Sequence, residues 1–339
     1  MVVDLLEWTL AAERGPRVDP ARVALLWPGG SLTYGELNCS VDEQARVLTA
    51  EGVDTECVCP IVVRNDVHGI VALLATWRCG ATVAPLNPRL TRVEADSARE
   101  TLAGVAAEAQ VILWTSGTSG VPRGVALSFD NLCASTAAVS DRLGSSVDDV
   151  WLASLSIAHV GGLALVARAF MTGAAVFTPG AFDVEVASQL IDSQQLTHVS
   201  LVPTQLIRLL DHRTEGPPSS FRCALIGGAH APADLVARAL DVGWPISLTY
   251  GMTEMSSQVA TSPPAHVRAK PGALGKPLEG VELKIDGRRE ILLRGRTRAI
   301  GYVGSDEAIA DAEGWYHTGD LGYVDDDGDL WVTGRRIDR

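Results

Sequence analysis

The chain has 339 residues, 47% hydrophobic and 20% charged, which fits two to three globular lobes at roughly 150 residues each and excludes a disordered chain. Against 41 Asp and Glu stand 28 Lys and Arg, a formal charge of −13, which argues against a protein built to grip nucleic acid or an anionic membrane. A local anion site stays open, because backbone N–H groups hold phosphate without any net basic charge.

No run reaches the roughly 18 apolar residues of a membrane span, and no basic-then-apolar leader opens the chain, so the expected location is the cytoplasm. Cys39, Cys57, Cys59, Cys79, Cys133 and Cys223 form no C-x-x-C pair, so they read as reduced thiols rather than zinc ligands. Residues 1–15 read as an amphipathic helix. Residues 31–37 predict a short strand entering a helix, 57–63 a strand, 68–79 a helix and 81–86 a strand ending in Asn87-Pro88. A charged amphipathic helix follows over 92–108, then the continuous apolar run 111–114 of the buried-strand type. Further strands at 150–155, 174–177, 197–202 and 223–226 alternate with helical patterns, which predicts an α/β fold with parallel sheets covered by helices on both faces.

After about residue 245 the texture changes to short strands, at 281–285, 290–293, 321–324 and 330–332, separated by Gly, Asp and Pro turns. The acidic string 325–329 between two of them predicts a hairpin turn. A calcium loop is the weaker reading there, since the twelfth-position glutamate and the flanking helices are missing.

Four segments carry chemistry. Thr115, Ser116, Gly117, Thr118, Ser119 and Gly120, with Arg123 following, form a hydroxyl- and glycine-rich loop directly after an apolar strand. Such a loop lets backbone N–H groups approach an anion closely. It is neither a Walker A sequence nor a nucleophile elbow, and alone it leaves a phosphate cradle and a plain Ser/Gly turn equally open. Tyr250, Gly251, Met252, Thr253 and Glu254 place an aromatic face, a hydroxyl and a carboxylate at the end of a strand. Those groups could stack a base, bind phosphate and hold Mg²⁺. Gly227, Gly228 and Ala229 take another strand into glycines. In 315–320, Asp320 could accept hydrogen bonds from a ribose diol. A turn or surface role is open for each of these taken singly.

Their order along the chain resembles the adenylate-forming superfamily of acyl- and aryl-CoA synthetases, peptide-synthetase adenylation domains and luciferases. The match runs from residues 31–37 through 275–280, Gly301-Tyr302 and 318–320 to Gly334-Arg335. The resemblance implies two α/β-layered subdomains with parallel sheets over 1–245, a smaller distorted β-barrel over 246–333 and the start of a hinge at 334–339. The nucleotide is expected at their junction. ATP, Mg²⁺ and coenzyme A are the implied co-substrates and cofactor, and a small carboxylic acid is the implied substrate. By that resemblance 115–120 and Arg123 take the β- and γ-phosphates, Gly228 and Ala229 line the adenine pocket, and Tyr250 stacks on the base. Gly251 and Met252 belong to the same nucleotide-binding segment. Thr253 meets the α-phosphate, Glu254 helps to hold the metal, Asp320 binds the ribose hydroxyls, and Arg335 contacts ribose or phosphate. His159, with Val160-Gly161-Gly162, stands beside the acyl pocket.

Three departures from the pattern stand out. Arg123 replaces the usual lysine, keeping charge but changing donor geometry. The stretch from Asn87 to Thr115 is short, as though one βα unit were trimmed. The sequence stops inside the hinge motif, and Lys270, Lys276 and Lys284, its three lysines, lie in no context like that of the family's C-terminal adenylation lysine. The expectation is a shortened chain that binds nucleotide and acid but turns over poorly.

Residues 86–91 and 159–163 most resemble the o-succinylbenzoate–CoA ligases of menaquinone biosynthesis. A dicarboxylate acid calls for buried donors, and His159, Thr204, Thr249, Ser256 and Ser257 are the candidates. Residues 163–170 read as plain core. Another aryl- or medium-chain acyl-CoA synthetase stays open, as does a non-catalytic nucleotide- or acyl-adenylate-binding module.

Overall fold

Helix boundaries follow local capping chemistry. In the computed structural model, which describes residues 18–102, 109–115 and 123–336, strands β1 (Val23–Trp27) and β2 (Gly30–Thr33) lead into α1 (Tyr34–Ala50). Thr33 caps α1 through its side chain, and Glu36 reaches back to close a capping box. Tyr34, Leu37, Val41 and Ala45 then bury one stripe of the helix at helical spacing. After β3 (Val58–Val62), Asp66 caps α2 (Val67–Arg78), and β4 (Thr82–Leu86) and α3 (Arg92–Leu102) follow.

Strands β5 (Val111–Thr115) and β6 (Arg123–Leu127) form an antiparallel pair, the latter absent from the sequence expectation. Its short apolar run Val125–Leu127 follows the Ser/Gly loop so closely that the pattern reads as loop. The chain continues through α4 (Phe129–Leu143), β7 (Val150–Leu152), α5 (Val160–Thr172), β8 (Ala175–Phe177), α6 (Val184–Asp192) and β9 (His198–Leu201). Then come α7 (Pro203–His212), β10 (Cys223–Ile226), α8 (Ala233–Asp241), β11 (Ile246–Met252), β12 (Ser257–Ser262) and α9 (Pro264–Ala269). The last strands are β13 (Val281–Ile285), β14 (Glu290–Gly295), β15 (Gly301–Tyr302), β16 (Tyr316–Val324) and β17 (Leu330–Arg335). The helix expected over 1–15 and the end of the one expected over 92–108 lie outside the described residues.

Three sheets result. Eight strands run in the order β12-β11-β10-β9-β7-β8-β1-β2, parallel except at the two edges. Five run β15-β6-β5-β4-β3 and four run β13-β14-β16-β17. Side chains alternate across the large sheet, as a period of two demands. Trp151 and Val176 join the core shared with α1, α2, α4 and α5, whereas Leu152 and Phe177 join the core under α6, α7 and α8. The large sheet is therefore covered on both faces.

The change of texture at residue 245 falls inside this sheet, because Ile246–Leu248 extends the parallel ladder of β10. The four-stranded sheet starts only at Val281, although Val259 and Ala260 of β12 pack into its core with Ile291 and Leu330. Among the described residues no helix is long and apolar enough to cross a membrane.

Candidate active site

Strand β11 ends in a forced shape. A bulge separates Tyr250 from Gly251, and a Cβ on Gly251 would lie 1.9 Å from the Ser257 carbonyl oxygen, so only glycine lets β11 and β12 approach here. Ser256 and Ser257 follow with φ of 53° and 107°, left-handed values that non-glycine residues avoid. Hydrogen bonds fix this strained turn: Ser256 Oγ donates to the Thr297 carbonyl, and Ser135 Oγ donates to that of Ser256, each at 2.7 Å.

The turn brings together the residues expected to hold nucleoside. The Tyr250 hydroxyl donates to Asp320 Oδ2 at 2.7 Å. Burial, and then the Asp320 carboxylate, hold the Tyr250 phenol well above its ordinary pKa. Arg335 stands directly across the β16–β17 ladder from Asp320, with Nε 3.6 Å from Oδ1. The buried Glu290 carboxylate secures this corner by accepting from Gly319 N–H at 2.9 Å and from Arg336 at 3.0 Å.

On the other side, β15 pairs with β6 and carries Tyr302 to Glu254. The Tyr302 hydroxyl donates to Glu254 Oε1 at 3.3 Å, and the Arg123 guanidinium lies 3.7 Å from the centre of the Tyr302 ring. Arg123 also pairs with Glu307 at 2.5 Å. Thr115 and Arg123 face each other in the β5–β6 ladder. The residues expected between them, Ser116, Gly117, Thr118, Ser119 and Gly120, lie outside the described residues.

A cavity of about 110 Å³ opens beside Gly227, Gly228, Gly251 and Met252. Gly228 takes φ of +76°, and Ala229 beside it is exposed. Of the donors proposed for a second carboxylate, Thr249 and Ser257 line this cavity. Thr204 is exposed at the start of α7, and Ser256 is turned to Thr297, so neither lines it. His159 caps α5 next to the lining residues Val160 and Gly161, and its Nε2 accepts from Asn87 Nδ2 at 3.2 Å. Desolvation holds its imidazole below the ordinary pKa.

Sequence reasoning missed Ser200, Gln258 and above all Arg168, which also line the cavity. Gln258 Oε1 accepts from the Thr249 and Thr261 hydroxyls, so its amide N–H groups are what it can offer a ligand. Arg168 is 2% exposed, its Nε has no hydrogen-bond partner, and no carboxylate pairs with it among the described residues. Burial lowers its pKa to about 10, which leaves it charged near neutrality. It is the one charged residue of α5, and that isolation within an apolar run was the signal available.

In the acidic turn, Lys270 Nζ sits 2.7, 2.6 and 3.0 Å from carboxylate oxygens of Asp325, Asp327 and Asp329. The ammonium supplies the positive charge that a calcium reading would require.

The AMP-binding enzyme family matches residues 12–100 and 96–303. The 2-succinylbenzoate–CoA ligase of Bacillus anthracis (strain A0248) is 33% identical over 94% of this chain and 76% of its own length. A double mutant of the o-succinylbenzoate CoA synthetase (MenE) of Bacillus subtilis, bound with its product analogue OSB-NCoA, superposes with a TM-score of 0.89 at 28% identity. That comparison covers 100% of this chain and 79% of that one. The same enzyme in complex with ATP and magnesium gives a TM-score of 0.87 at 28% identity, over 98% and 79% of the two chains. This chain belongs to the AMP-binding enzyme family.

Proposed function

We propose that the protein activates o-succinylbenzoate with ATP as an acyl-adenylate and passes the acyl group to coenzyme A, a step of menaquinone biosynthesis. The observation that carries the reading is Arg168, a buried guanidinium with no carboxylate partner among the described residues, at the cavity beside the proposed nucleoside residues. An unpaired buried cation is costly unless a ligand completes it, and an acid with a second carboxylate does so.

Tyr250 stacks on adenine beside Gly228 and Ala229, with Gly251 and Met252 forming the floor. Asp320 accepts from the ribose hydroxyls, and Arg335 braces them. Thr115 and Arg123, with the loop that joins them, hold the β- and γ-phosphates, and the Thr253 hydroxyl donates to the α-phosphate. Glu254 is the magnesium ligand: it is a hard oxygen donor, and its Oε2 is unengaged among the described residues. The metal, when bound, neutralises phosphate charge. His159, neutral and held by Asn87, lines the mouth of the acid pocket.

The acid carboxylate attacks the α-phosphorus and pyrophosphate leaves. The coenzyme A thiol then displaces AMP from the acyl carbon. The chain contributes positioning and electrostatic complementarity to this in-line displacement. The cytoplasm is the compartment of this reading, supported by six cysteines without a disulfide among them.

Calorimetric titration with a stable o-succinylbenzoyl-AMP analogue, beside a long-chain acyl-AMP analogue, tests it. Tight binding of the first alone is expected. Preference for the second keeps the family and removes the substrate.

A further inference from the structure

What keeps Arg168 in place is a ring. Trp151 on β7 is fully buried, and its indole N–H has no hydrogen-bond partner among the described residues. The Arg168 guanidinium carbon lies 4.3 Å from the Trp151 ring centre, and the His198 imidazole stacks on the same indole at 4.3 Å with a 23° tilt. His198 stands opposite Trp151 in the β7–β9 ladder, so both side chains rise from the same face of the sheet.

Asp149 acts on Arg168 through space, but among the described residues no carboxylate forms an ion pair with it. Asp149, the buried carboxylate of this neighbourhood, accepts from Arg222 and from Ser146 N–H. Burial, with Arg222 and Arg168, depresses the His198 imidazole to about 3, so it is neutral near pH 7. Burial pushes the Cys223 thiol up to about 12, so it keeps its proton. A carboxylate could anchor a guanidinium equally well, but it would consume the positive charge. A ring face anchors it and leaves both the charge and the N–H donors for an incoming anion.

We propose that Trp151 is a positioning residue for acid selection: it seats Arg168 at the cavity without neutralising it, so that the second carboxylate of the substrate becomes the counter-ion. This rests on the reading of Arg168 given above. Trp151 does not line the cavity and acts only through Arg168.

The test compares two sulfamoyl-linked acyl-adenylate analogues, one bearing the second carboxylate and one lacking it, by titration calorimetry, with AMP as a third ligand. Trp151→Leu, Trp151→Phe, Arg168→Met and a chain carrying ring-fluorinated tryptophan at position 151 are measured beside the unaltered chain. Fluorination keeps the shape and weakens the negative ring face. The preference for the carboxylate-bearing analogue should fall about three- to tenfold with fluorination or Trp151→Leu, and less with Trp151→Phe. Affinity for AMP and for the analogue lacking the carboxylate should hold. Equal losses for all three ligands, or an unchanged preference in the fluorinated chain, would reduce Trp151 to packing and overturn the proposal. If Arg168→Met alone abolishes the preference, the reading of Arg168 stands and only the role of Trp151 falls. A preference that survives Arg168→Met removes both.

Discussion

Tyr250 and Asp320 belong to different sheets, yet the hydroxyl of one donates to the carboxylate of the other at 2.7 Å. That bond ties the end of the eight-stranded sheet to the four-stranded one, at the corner where the proposed reading puts the nucleoside. Asp320→Ala should weaken AMP binding by about 10- to 100-fold, the range for hydrogen bonds to a charged group. Tyr250→Phe keeps the stacking face and should cost less than about tenfold. A titration in which the two variants lose affinity equally would deny Asp320 its direct contact with the nucleotide.

Gly251→Ala should be among the most damaging single-atom changes in the chain. The added Cβ meets backbone rather than a movable side chain, 1.9 Å from the Ser257 oxygen. Overpacking of this kind costs about 1–3 kcal/mol, and here it also displaces Ser257 from the cavity. Urea unfolding and AMP titration should both register the change. Stability near that of the unaltered chain would mean that the bulge relaxes freely.

Lys270 holds together three aspartates whose oxygens lie within 4.8 Å of one another. Its pKa is raised, first by Asp325, and that of Asp325 is lowered, first by Lys270. The raised lysine stabilises fully below its unfolded value near ~10.4 and loses that contribution as pH rises through the folded one. The depressed Asp325 stabilises above about 3.9 and loses that contribution as pH falls through its folded value. Lys270→Met should therefore lower Tm most between about pH 4 and 10, with the gap narrowing in acid. A gap independent of pH would show that the lysine stem, not its charge, does the stabilising.

His198 gives the opposite acid profile to a paired histidine. Its folded pKa is depressed to about 3, first by burial, so on acidification the unfolded chain takes up a proton that the folded chain refuses. Stability is lost as pH falls below about 6.5, by up to ~1.4 kcal/mol per pH unit, until the folded value is reached. His198→Phe keeps a ring beside Trp151 and should flatten that limb. Denaturant titrations of both chains from pH 7 to pH 4 check it, and parallel curves would assign the acid limb to other groups.

The sequence showed most where backbone chemistry is local. The strand run at 111–114, the strand-to-helix entry at 31–37 and the glycines before Ala229 mark their own positions. β6 was hidden because Val125–Leu127 is too short to separate from the loop before it. Ser200 and Gln258 reach the cavity only through pairing between strands distant in sequence, which no local period reveals. Thr204 went the other way, since its neighbours in sequence lie near the pocket while its own position on α7 faces solvent. Residues 163–170 read as core because α5 is apolar apart from Arg168. Arg168 is core by burial, and its charge at the cavity is what the proposed reading uses.

The burial of Arg168 also sets what salt can do to it. Mobile ions screen exposed charges over about 8 Å at physiological ionic strength and screen buried ones much less. Arg335 and Arg123, with side chains 61% and 36% exposed, stand where such ions reach. Arg168, at 2%, does not. On the proposed reading, a rise in ionic strength weakens the capture of nucleotide more than it changes the choice between acids.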